Sequence, residues 1–111
     1  MRTAGIVFCD REAVLREARA AADAIRSAHP EVRRVFLYGS LARGSGGPRS
    51  DIDLVVIIAG TPLPPRERAP HFTPVWPRPL DVTVYTEAEV ARFASDPPPI
   101  LRAALTEGLE I

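Results

Sequence analysis

The stretch Ile52-Asp53-Leu54-Val55-Val56-Ile57-Ile58 constrains this chain more than any other, because it is apolar at every position except Asp53. An aliphatic run of this length, rich in β-branched side chains, reads as a strand covered on both faces, and such a strand belongs at the centre of a sheet. A second acid, Asp51, stands immediately before it. Charges at the mouth of a buried strand cost stability unless something pairs with them. The element that organises the fold is therefore also where chemistry is expected.

The remaining elements follow from periodicity. Between Asp10 and His29, Val14, Leu15, Ala18, Ala22 and Ile25 recur at three- and four-residue spacing, which predicts an amphipathic helix capped by Asp10 and ended by Pro30. Arg34 to Tyr38 reads as a strand that stops at Gly39. Leu80 to Tyr85 alternates Leu80, Val82 and Val84 against Asp81, Thr83 and Tyr85, a third strand. Residues 59–79 hold seven of the twelve prolines. This density predicts an irregular, partly polyproline-like crossover, with room for one helical turn over Pro65 to Ala69. Thr86 and Glu89 form a capping box for a helix to about Phe93. A last helix begins near Asp96, turns Ile100, Leu101, Ala104 and Leu105 inward, and ends with Gly108 as its left-handed C′ residue. Leu109 to Ile111 reads as a short edge strand. With 111 residues the expectation is one domain over 1–111, of the α/β (α+β) class, with a small mixed sheet flanked by α-helices.

Composition narrows the function. Fourteen basic residues, all arginine, balance fourteen acidic ones, so no global positive field exists to hold an extended nucleic acid. No apolar run approaches the roughly 20 residues that span a bilayer, and the reading is a cytoplasmic protein. Cys9 stands alone, which excludes an internal disulfide or a cysteine-based zinc site. There is no Gly-Lys-Ser/Thr phosphate loop, and Asp51 and Asp53 run into aliphatics without the glycine that a calcium loop needs.

Three groups of residues carry chemistry. Gly39 ends a strand and Ser40 begins a short helix, a turn whose backbone and hydroxyl suit a phosphate, with Arg43 and Arg49 close enough in sequence to add charge. Asp51 and Asp53 are two residues apart and leave one face of a strand. Asp81 stands at the start of its own strand. If the end of the first strand meets the start of the second, the two run antiparallel. If the start of the third also meets the start of the second, those two run parallel, and residues 59–79 supply the crossover. Carboxylates gathered in this way are the oxygen donors that Mg²⁺ takes together with substrate phosphates.

Gly39-Ser40, ten intervening residues, Asp51-Ile52-Asp53, and Asp81 within Leu80-Asp81-Val82-Thr83-Val84 resemble the signature of the DNA polymerase beta nucleotidyltransferase superfamily. The closest resemblance is to its minimal (MNT-type) members, which often end in a sequence like Glu107-Gly108-Leu109. The resemblance implies that Asp51, Asp53 and Asp81 hold two Mg²⁺ ions about 3.5–4 Å apart. It also implies that Gly39 and Ser40, with Arg43 and Arg49, bind the phosphates of ATP while a hydroxyl attacks the α-phosphorus. Such members pair with HEPN-domain toxins and, as antitoxins, add AMP to a toxin tyrosine. The alternative is an inactive antitoxin of the same fold that neutralises its partner by binding. A transferase acting on a small molecule would need a second subunit to build its pocket. The acceptor, the preferred base and the homo- or hetero-oligomeric state stay open.

The other conspicuous residues receive structural readings. His29 meets a helix end, Tyr38 and Tyr85 sit at the core rim, and His71, Phe72, Val75 and Trp76 either cover the sheet or contact a partner.

Overall fold

The computed structural model describes residues 11–44 and 51–111. The expected capping residue Asp10, Cys9 and Arg49 lie outside the described residues. The elements in chain order are α1 (Arg11–Ala28), β1 (Val32–Tyr38), α2 (Ser40–Arg43), β2 (Ile52–Ile58), α3 (Pro65–Phe72), β3 (Leu80–Thr86), α4 (Glu87–Arg92), α5 (Pro99–Glu107) and β4 (Leu109–Glu110).

The strands form one mixed sheet in the order β3-β2-β1-β4. β1 runs antiparallel to β2 with Tyr38 opposite Asp53, and β3 runs parallel to β2 with Asp81 beside Asp53. The aliphatic run thus occupies the interior of the sheet, as its composition requires. One face, carrying Val35, Leu37, Ile52, Leu54, Val56, Ile58, Val82 and Val84, packs against Val14, Ala18, Ala22 and Ile25 of α1 and Phe72 of α3. The opposite face buries Phe36, Val55 and Ile57 against Leu101 and Ala104 of α5, with Val90 and Phe93 alongside. Among the described residues no helix is long and apolar enough to cross a membrane.

The proline-rich crossover departs from expectation, since it contains a two-turn helix. Pro65 occupies the first turn, where its missing N–H is no loss, and Pro70 lies inside the helix. Arg68 locks the helix in place. It is 6% exposed, forms a 2.7 Å ion pair with Glu89, and donates to the carbonyls of Leu63 and Val84. Phe72 is buried and its ring lies 4.4 Å from that of His29, so His29 closes the core rather than simply meeting a helix dipole. Trp76 packs on the same cluster while Val75 is fully exposed.

Two further expectations need correction. On α5 only Leu101 and Ala104 are buried, and Ile100 and Leu105 are 41% and 40% exposed. Successive residues on a helix are about 100° apart, so a narrow stripe admits one of each adjacent pair. Gly108 is extended, with φ −78°, rather than left-handed. Its glycine is required by crowding, because a Cβ would approach the Leu37 carbonyl oxygen to 2.9 Å and overlap the Ala104 carbonyl. The capping box formed as read, with Glu89 N–H donating to the Thr86 hydroxyl (3.1 Å) and Thr86 N–H to the Glu89 carboxylate (2.9 Å).

Candidate active site

The register of three strands builds the site. Tyr38, Asp53 and Asp81 form one cross-strand row. Their neighbours Leu37, Ile52, Leu54, Leu80 and Val82 point to the α1 side, so strict alternation sends Asp53 and Asp81 together to the opposite face. Adjacent strands are roughly 4.8 Å apart, which sets the two carboxylates side by side. Asp51 lies one residue before β2 and is exposed, as is Asp81, whereas Asp53 is half-buried between them.

Electrostatics mark Asp53 as the strained member. Burial raises its pKa, the charges of Asp81 and Asp51 raise it further, and Arg43 works weakly the other way. Among the described residues none of the three acids joins an ion pair. Next in the row, the Tyr38 hydroxyl is pushed up mainly by burial, the Thr83 side chain works the other way, and the charges of Asp81 and Asp53 raise it further. The sequence alone reads Tyr38 as a rim residue; its place in the acidic row follows only from the register.

Gly39 closes the site from the β1 side. Its φ of 82° and ψ of −159° fall in a region essentially reserved for glycine. A Cβ there would also lie 3.2 Å from the Asp53 carboxyl carbon and overlap one of its oxygens. α2 follows at once, with Arg43 N–H donating to the Gly39 carbonyl at 3.2 Å. Leu41 and Ala42 are buried and anchor this turn, leaving Ser40 half-buried and Arg43 exposed. Arg43 lies 4.0 Å from the exposed Glu107, a contact weak enough to be exchanged. The structure therefore brings Gly39, Ser40, Arg43, Asp51, Asp53 and Asp81 to one end of the sheet.

This donor set fits a divalent cation of the magnesium kind. All donors are hard carboxylate oxygens, and their mutual repulsion is what raises Asp53 beyond its burial. Among the described residues no group of three or more His, Cys, Asp or Glu side chains is gathered closely enough to hold a metal ion unaided. Magnesium does not require such a group, since it keeps several waters and shares its remaining positions with substrate phosphates.

A family model described as a nucleotidyltransferase domain matches residues 18–96, a span that contains the glycine-serine turn and all three acids. Among solved structures, a Sulfolobus solfataricus protein assigned as a nucleotidyltransferase is similar with a TM-score of 0.58 at 21% identity, covering 89% of this chain and 82% of that one. A mutant of the toxin–antitoxin MntA-HpeT gives 0.52 at 19% identity, covering 84% and 69%. A toxin–antitoxin structure with AMP-PNP gives 0.51 at 20% identity, covering 84% and 70%. Identities this low speak for a shared fold. No curated protein matches the chain.

Proposed function

The chain belongs to the nucleotidyltransferase domain family, and we propose on that premise that it transfers AMP from ATP to a hydroxyl, a tyrosine, of a partner HEPN-domain toxin. It would act in the cytoplasm as an antitoxin, with residues 1–111 serving as a single minimal transferase domain. The observation that carries this reading is the placement of Asp53 and Asp81 as same-face register partners beside a glycine whose backbone conformation other residues rarely adopt. Similarity to two toxin–antitoxin structures, one with AMP-PNP, supports a protein partner and a nucleotide substrate.

In this mechanism Asp51, Asp53 and Asp81 would hold two Mg²⁺ ions, which would supply charge neutralisation at the triphosphate and a more acidic acceptor hydroxyl. Gly39 lets the backbone approach the β- and γ-phosphates, and Ser40 and Arg43 add a hydroxyl and a cation there, with Arg49 assigned the same role from sequence. Asp81, exposed at the start of β3, receives the hydroxyl proton on its carboxylate. The acceptor oxygen forms a bond to the α-phosphorus as the bond to the bridging β-oxygen breaks, and pyrophosphate leaves with that electron pair. The chain's contribution is placement and fixed charge.

The test is incubation with a co-expressed HEPN-domain partner and ATP labelled at the α-phosphate. Label on the partner, lost in the Asp51→Ala/Asp53→Ala double variant, is expected. A tight complex with no label transferred contradicts the proposal and leaves neutralisation by binding.

A further inference from the structure

β3 is an edge strand, and its outer side faces a cavity of about 460 Å³ floored by residues 82–85 and walled by Ala69 of α3 and Phe93 after α4. Three hydrogen bonds fix which backbone groups point into it. Ile52 N–H donates to the Pro79 carbonyl (3.0 Å), so the groups of Pro79 face β2, and by alternation so do those of Asp81 and Thr83. The groups of Val82, Val84 and Thr86 must then face outward. Two side chains agree: Arg68 donates to the Val84 carbonyl (3.3 Å), and Glu89 accepts from Thr86 N–H (2.9 Å).

Arg68 and Glu89 thus plug the far end of the edge. The Val82 N–H and carbonyl and the Val84 N–H have no hydrogen-bond partner among the described residues, although Val82 and Val84 are only 4% and 6% exposed. Nearly buried backbone groups without partners are rare in native folds. Three arginines and one glutamate line the cavity. Arg68 is neutralised by Glu89 at 2.7 Å, whereas among the described residues Arg66 has only Glu67 at 3.9 Å and Arg92 lies over the Phe93 ring.

We propose that the outer edge of β3 is a docking groove for an extended acidic peptide segment of a partner protein. The segment pairs its main chain with Val82 and Val84, rests an apolar side chain on Phe93 and Ala69, and presents carboxylates to Arg66 and Arg92. Main-chain pairing supplies affinity and the two arginines select charge. This site is separate from the transferase reading, and its test uses no nucleotide.

The test is selection of a random linear octapeptide phage library on the immobilised full chain, followed by nuclear magnetic resonance titration with the synthesised winners. Acidic sequences that shift the Val82 and Val84 amides are expected. Their binding should weaken at least about tenfold in Arg66→Glu/Arg92→Glu, with an unchanged circular dichroism spectrum, and should vanish when the peptide backbone is N-methylated. Any of four results overturns the proposal: no enriched sequence, winners indifferent to the charge reversal, undiminished binding by the N-methylated peptide, or concentration-dependent self-association that occupies the Val82 and Val84 amides with a second copy.

Discussion

Asp53 and Asp81 are register partners on adjacent parallel strands, and the charge of Asp81 helps hold the Asp53 carboxyl above its ordinary pKa. A raised carboxylate favours the protonated fold. Its penalty is therefore present above the folded pKa and fades as pH falls through that value. Asp53→Asn should melt higher than wild type at neutral pH in the absence of divalent metal, with the gap closing in acid. Adding Mg²⁺ together with a non-hydrolysable ATP analogue should stabilise wild type and leave the variant unmoved. Thermal denaturation across pH, with and without Mg²⁺ and the analogue, checks both signs.

Glu89 has the opposite sign. Its hydrogen bond with Arg68 holds its pKa below the ordinary value, so its stabilisation is complete above the unfolded pKa and disappears as pH falls through the folded one. Arg68→Ala should cost about 3 kcal/mol near neutral pH, because it strands a partly buried carboxylate and frees the Val84 carbonyl. Denaturant melts should show that cost, and show Glu89→Gln converging on wild type in acid.

Gly39 and Gly60 make a matched pair. Gly39→Ala should cost about 1–3 kcal/mol from its backbone geometry alone and should displace Asp53 besides. Nothing lies within 4 Å of a Cβ at Gly60, so Gly60→Ala should stay within about 0.5 kcal/mol of wild type. Chemical denaturation of the two variants measures both.

Tyr38→Phe removes the half-buried hydroxyl that interacts with the Thr83 side chain and should cost about 1 kcal/mol. If the Tyr38–Thr83 interaction also fixes the acidic row, Thr83→Val should reproduce the loss, and the double variant should be no worse than either single one. A double-mutant cycle on stability decides the point.

Much of this was legible in the sequence because local chemistry and global fold agree. The aliphatic run from Ile52 to Ile58 announced the central strand, Thr86 and Glu89 announced a helix start, and alternation in Leu80 to Tyr85 put Asp81 opposite the core. What the sequence hid depended on partners far along the chain. Helix α3 defies its proline content because Arg68 finds Glu89 and two carbonyls, and no local pattern encodes that meeting. Gly108 suggested a left-handed cap, whereas crowding from Leu37, a distant residue, is what demands glycine. Tyr38 joins the acidic row through register, which becomes visible only once three strands are aligned.

Manganese binding followed by electron paramagnetic resonance, with a non-hydrolysable ATP analogue present, probes the acidic row most directly. Wild type should take up Mn²⁺ in a nucleotide-dependent way, and Asp53→Asn and Asp81→Asn should each lower affinity by at least about tenfold, the scale of a lost charged ligand. Uptake that is equal in all three proteins, or that ignores the nucleotide, would contradict a metal and nucleotide site at Asp53 and Asp81.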